Sequence, residues 1–186
     1  MAEPETISDV IEKFAASVWP CKSPPFEPGV ISSEKLDELR GEEIGVEDFL
    51  DYLVETKRVL LLGTCKERDW FQGSHGSGAI VAYSHGGIAI ARAVIDTSKC
   101  SGFRHLYPPT LGAGLEFRVH GIQQDTIHKS GFVYVLPRTG FLNRPKDSER
   151  FTNMRDNPIN PFVRVQVLRS DLKYPIIDVS TGKPVN

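Results

Sequence analysis

Residues 79–96 read AIVAYSHGGIAIARAVID. Five apolar, strand-prone residues (79–83) stop at Ser84-His85-Gly86-Gly87, and an apolar run of helical character (88–95) follows at once. The stretch predicts a strand, a tight polar turn and a helix N-terminus. Such a junction leaves the first N–H groups of the helix without intrahelical partners, so they point at whatever lies in front of the turn. What flanks the junction decides which fold contains it.

Upstream, the signals are helical. Thr6-Ile7-Ser8-Asp9 has the form of a capping box with Asp in place of Glu. Ile7, Val10, Ile11, Phe14 and Val18 then recur at helical spacing as far as Trp19-Pro20. Four prolines and a glycine within 20–29 predict an extended connector. Ser32 or Ser33 caps a short helix carrying Leu36 and Leu39. A further helix runs from Val46 to Lys57, with Phe49, Leu50 and Leu53 on one face and Glu47 and Asp48 complementing its dipole. Residues 59–62 are a continuous apolar run stopped by Gly63, the pattern of a buried strand. Residues 66–78 form a polar, Gly-rich loop, in which Trp70 and Phe71 are expected to pack over a sheet edge.

Downstream, strands take over. Leu115, Phe117 and Val119, the run 132–136, and the alternation over 162–167 all fit strands separated by Pro-, Gly- and Asn-rich segments. Helices first and strands afterwards is an α+β arrangement. A helical region (1–57) is expected to pack, within one domain, on a mostly antiparallel, β-rich core (58–186).

The bulk properties narrow the function. With 40% apolar and 25% charged residues and a formal net charge of −2, the chain carries no electrostatic footprint for nucleic acid or an acidic membrane. No apolar window is long enough for a transmembrane helix, and the acidic start MAEPETISDV does not read as a secretory signal. Cys21, Cys65 and Cys100 form no closed disulfide set and read as plain thiols of a reducing, cytoplasmic compartment. His75, His85, His105, His120 and His128 share no metal-ligand spacing, so no metal is expected. Arg138, Arg144, Lys146, Arg150 and Arg155 alternate with Asp147, Glu149 and Asp156 and read as a solvated loop.

Four segments taken together carry a more specific pattern: Leu61-Leu62-Gly63-Thr64, residues 82–96, GFVYVLPRTGF (131–141) and NPFVRVQVLRSDLKYPI (160–176). In this order and spacing they resemble domains of the ADP-ribosyltransferase (PARP-like) superfamily over about residues 58–178. The resemblance implies a split, mostly antiparallel sheet and a site for NAD or an ADP-ribose fragment. It places Gly63 and Thr64 at the clamp on the nicotinamide and its ribose, and Tyr83 or Ser84 at the second-strand edge. It also implies departures. Leu62 stands where the family has a histidine, and residues 157–168 contain no Asp or Glu to stabilise an oxocarbenium-like transition state. The expectation is an atypical, degenerate NAD site that binds nucleotide without standard catalysis.

Two other readings compete. Ala82-Tyr83-Ser84-His85-Gly86 matches a nucleophile elbow with Ala at its first position, which makes Ser84 the nucleophile of a small serine hydrolase with Asp125 and His128 completing the triad. Against it, the chain after residue 100 offers no helix of crossover length for further parallel strands. The other reading is a non-enzymatic module that binds a protein partner through the inherited cleft or the loop of Trp70 and Phe71.

Overall fold

A computed structural model of the chain describes residues 6–19, 28–69, 71, 79–107, 114–144, 147–153 and 158–185. Cys21, Trp70 and His75 lie outside them, as do most of the proline connector and Lys146, Arg155 and Asp156 of the basic segment. The elements run α1 (Ile7–Val18), β1 (Gly29–Ile31), α2 (Ser33–Gly41), α3 (Val46–Lys57), β2 (Val59–Thr64), β3 (Ile80–Tyr83), α4 (Gly86–Val94), β4 (Gly102–Leu106), β5 (Glu116–His120), β6 (Ser130–Pro137), β7 (Leu142–Arg144), β8 (Asp147–Asn153), β9 (Val163–Leu168), β10 (Ile176–Asp178) and β11 (Lys183–Pro184).

The strands form two sheets, ordered β1-β9-β6-β2-β3-β8-β7 and β11-β10-β5-β4. Each contains one parallel pair, β1 with β9 and β5 with β10, and is otherwise antiparallel. The chain is thus an α+β protein with two mixed sheets. Among the described residues no helix is long and apolar enough to cross a membrane.

Local chemistry explains the helix starts. Thr6 caps α1 in a reciprocal box, its side chain accepting from the Asp9 N–H at 3.2 Å while the Asp9 carboxylate accepts from the Thr6 N–H at 2.9 Å. Ser32 caps α2 through the Lys35 N–H. The segment before β1 reads as a connector in sequence, but Gly29–Ile31 adds an edge strand beside β9. Three residues are too few to show a periodicity.

Helix α4 organises the core. Every residue of it is buried except Arg92, so it is apolar on all sides and needs cover on all sides. It packs on β2 and β6 of the large sheet, with α3 against it, in one cluster with Phe117, Val119 and Ile176 of the small sheet. The close approach to the large sheet depends on two glycines. A Cβ at Gly63 would overlap the Ala89 carbonyl oxygen, and one at Gly131 the Ala93 carbonyl oxygen. On the other face of the sheet, Leu60, Phe71, Ile80, Ala82, Tyr134 and Phe151 form a second cluster. Phe71 is buried there, edge-to-face with Tyr134 at 4.8 Å.

Candidate functional site

The strand-to-helix turn expected at 83–87 is present, but three of its N–H groups are already satisfied. The Ser84 N–H donates to the Glu149 carbonyl at 3.0 Å, the Gly86 N–H to Asp51 Oδ1 at 2.5 Å, and the Gly87 N–H to His85 Nδ1 at 3.1 Å. A helix N-terminus occupied in this way offers these donors to neither an oxyanion nor a phosphate. Gly86 and Gly87 serve packing instead, since a Cβ at Gly87 would lie 2.6 Å from the Tyr174 ring and 2.9 Å from Glu47 Oε1.

What surrounds the turn is acidic. Helix α3 brings Glu47 and Asp51 to within ligand distance of His85. Glu47 is 4% exposed. Its Oε1 accepts from the Tyr174 hydroxyl at 2.7 Å and lies 3.6 Å from His85 Nδ1, whereas its Oε2 is buried with no partner. Burial pushes the Asp51 carboxyl up to about 6, against the opposing pull of the Gly86 N–H. Burial and the bond to Glu47 likewise hold the Tyr174 phenol well above its usual value. Nearby, Tyr107 donates to Glu149 Oε1 at 2.6 Å.

Beside this acidic end lies a cationic one. Tyr83 is buried and shares a register position with Arg150 of β8, so both side chains stand on the α4 face. Arg150, expected in a solvated loop, is half-buried in a strand, because the β7–β8 hairpin carries the basic segment into the sheet. Arg92 reaches the same place from α4, 5.6 Å above the Tyr83 ring and 4.4 Å above that of Phe103 in β4. His105 packs edge-to-face on Tyr83 at 6.1 Å. Both guanidinium Nε atoms are buried without a hydrogen-bond partner, and neither arginine forms an ion pair with a carboxylate among the described residues. Burial first, and then repulsion from Arg150, lowers the pKa of Arg92. A desolvated guanidinium beside a second, half-buried one favours an anion between them.

The expected cofactor residues are not assembled into one pocket. Leu61 pairs with Tyr83, so Gly63 shares their face while Thr64 stands on the opposite one, where it pairs with Phe132. The open side of Gly63 is filled by α4 rather than left for a ligand. Thr64 Oγ1 accepts from the Lys66 N–H at 3.2 Å. Tyr83 and Ser84 remain at the seam between the two sheets. Neither is the hydrolase triad assembled. Ser84 precedes the first residue of α4, whereas the His128 N–H donates to the carbonyl of the last, Val94, roughly 13 Å away at helical rise. Ser84 also lacks the left-handed backbone of a strained elbow.

No family model matches the chain, and no curated protein or solved structure does.

A second cluster was hidden by chain distance. Cys65, Asp96 and His128 place a thiol, a carboxylate and an imidazole within 4.8 Å of one another. No short motif links them in sequence; β2, the end of α4 and the segment before β6 bring them together. Cys65 and Cys100 are free thiols. Burial, reinforced by the Asp96 carboxylate, raises the Cys65 pKa.

Proposed function

We propose that the protein is an ADP-ribosyltransferase-like domain that binds NAD or an ADP-ribose fragment at the seam between its sheets, with Arg92 and Arg150 holding the pyrophosphate beside Tyr83. The observation that carries the reading is the pair of guanidinium groups without carboxylate partners, Arg92 desolvated and stacked on the Tyr83 and Phe103 rings and Arg150 half-buried beside it. That arrangement suits a fork-on-phosphate contact rather than a surface ion pair.

Two further features support it. The four segments of the resemblance are neighbours in one sheet, β9-β6-β2-β3, with α4 following β3 directly. Phe103 and His105, both partly exposed beside the buried Tyr83, supply ring surface of the kind a nucleotide packs against. The reading is one of binding, not of glycosidic bond cleavage. The nicotinamide clamp is incomplete, with Leu62 in place of histidine and Thr64 on the far face of the sheet from Tyr83. Affinity then resides in the ADP-ribose part of the ligand and not in nicotinamide.

Calorimetric titration with NAD, ADP-ribose and nicotinamide tests this. ADP-ribose should bind at least as tightly as NAD, and nicotinamide should give no heat. Arg92→Met and Arg150→Met should each weaken ADP-ribose at least tenfold, as expected for losing a charge-assisted bond of roughly 1.5–3 kcal/mol. Thr64→Ala should leave the affinity unchanged. An absence of binding heat in the wild type, or an arginine double variant that binds normally, would overturn the proposal.

A further inference from the structure

We infer that Cys65, Asp96 and His128 form a three-ligand site for a thiophilic divalent cation of the zinc class. The inference is independent of the nucleotide reading and concerns the opposite end of α4.

The ligand atoms are presented rather than consumed. Asp96 is anchored through one oxygen only: Oδ1 accepts from the Ser98 N–H at 3.0 Å and the Ser98 hydroxyl at 2.5 Å. That leaves Oδ2 turned toward His128 Nε2 at 4.0 Å, too far for a hydrogen bond and wider than the roughly 3.3 Å between two ligands on a tetrahedral ion, so the side chains must close by a few tenths of an ångström to bind. His128 Nε2 is itself buried with no hydrogen-bond partner, an unsatisfied state that costs free energy in an empty site. Cys65 follows β2 directly and completes the set within 4.8 Å. The backbone holds two of the three in place: the Asp96 N–H donates to the Thr126 carbonyl and the His128 N–H to that of Val94, each at 2.8 Å. Fixed ligands with a hydrogen-bonded carboxylate are the mark of a preorganised site.

Donor chemistry selects the metal. One thiolate, one imidazole and one carboxylate form a mixed S/N/O set, which favours zinc or cobalt over the hard, all-oxygen cations calcium and magnesium. Two of the three ligands are anions once bound, so a dication is neutralised, and three protein ligands leave a fourth position for water. Lys66 and Lys99 lie near enough to act on Asp96 and oppose a cation, which limits affinity without occupying a ligand atom. In the other mixed cluster Glu47, Asp51 and His85 each already have one acceptor atom engaged, by Tyr174, Gly86 and Gly87, and no thiol is present to select a thiophilic ion.

The test is titration of the chelator-treated, reduced full chain with cobalt(II), followed by visible and near-ultraviolet absorption. One equivalent should produce a thiolate-to-cobalt charge-transfer band and intense tetrahedral ligand-field bands, both displaced by zinc. Cys65→Ser should abolish the charge-transfer band, His128→Ala should weaken binding at least tenfold, and Cys100→Ser should change neither. A second measurement needs no variant: zinc should protect Cys65 from alkylation, read by peptide mass, while Cys100 stays reactive. A wild type that develops no charge-transfer band, or in which zinc leaves Cys65 fully alkylated, overturns the inference. So does a band that survives in Cys65→Ser.

Discussion

Asp51 is where a single residue carries the tension of the acidic end. Its carboxyl sits at about 6 rather than 3.8, because burial beside Glu47 penalises the charge more than the Gly86 N–H rewards it. Between about pH 4 and 6 the folded chain therefore holds a proton that the unfolded chain has released, and stability contributed at Asp51 falls as pH rises through that window. Asp9, Asp96 and Asp178 act in the other sense. Hydrogen bonds from Thr6, Ser98 and Ser180 hold them low, so their contribution is present near neutrality and is lost on acidification. The variant Asp51→Asn keeps an acceptor for Gly86 and removes the charge. Its melting temperature relative to wild type should rise from pH 4 to about pH 6 and level off above that. A difference that stays flat across that series would show that Asp51 is not held as a desolvated acid.

At the scale of elements, α4 and the two strands beneath it depend on Gly63 and Gly131. Both lie where the helix backbone rests on the sheet, and the obstacle to a side chain is main-chain carbonyl rather than a flexible tip. Gly63→Ala and Gly131→Ala should therefore each cost about 3 kcal/mol, the upper end for overpacking a rigid core, measured by urea unfolding. Gly182→Ala should cost far less, since no atom lies near its missing Cβ and only its left-handed φ of 67° resists a side chain. These glycines also explain what was legible in the sequence. The α3 and β9 signals are strong because each buries a regular face, and β2 and α4 are legible as continuous apolar runs. Gly63 reads equally well as a ligand-side glycine or a packing glycine, and only the position of α4 decides between them. The same holds for function. Tyr83 was visible as a strand-end aromatic, but Arg92 looks like one polar residue in an apolar helix and Arg150 like part of a charged loop. Their meeting over Tyr83 depends on the pairing of β3 with β8, a long-range register that no local pattern encodes.

For the whole molecule, the helical region and the β-rich core share one hydrophobic cluster across residue 57, so the two should unfold together. Phe49, Leu50 and Leu53 of α3 are fully buried in the cluster that contains α4, and Phe14 of α1 meets Phe49 edge-to-face at 5.0 Å. Strand β1 extends the large sheet through β9. Arg40 of α2 grips Asp171, in the turn after β9, with two bonds of 2.9 and 2.7 Å, and Asp171 in turn accepts from the Leu168 N–H. Removing Arg40 leaves a 7%-exposed carboxylate without its cation. Arg40→Met should accordingly lose roughly 2–3 kcal/mol, somewhat below the full cost of orphaning a buried charge because Arg40 itself is partly exposed. The fragment 58–186 faces a larger loss, since it uncovers one side of an all-apolar helix and the β9 edge together. It should show no cooperative urea transition, whereas the full chain should unfold in a single step that coincides by fluorescence and circular dichroism. A fragment that melts cooperatively on its own would instead make the N-terminal helices a separable module, and would require α4 to find other cover.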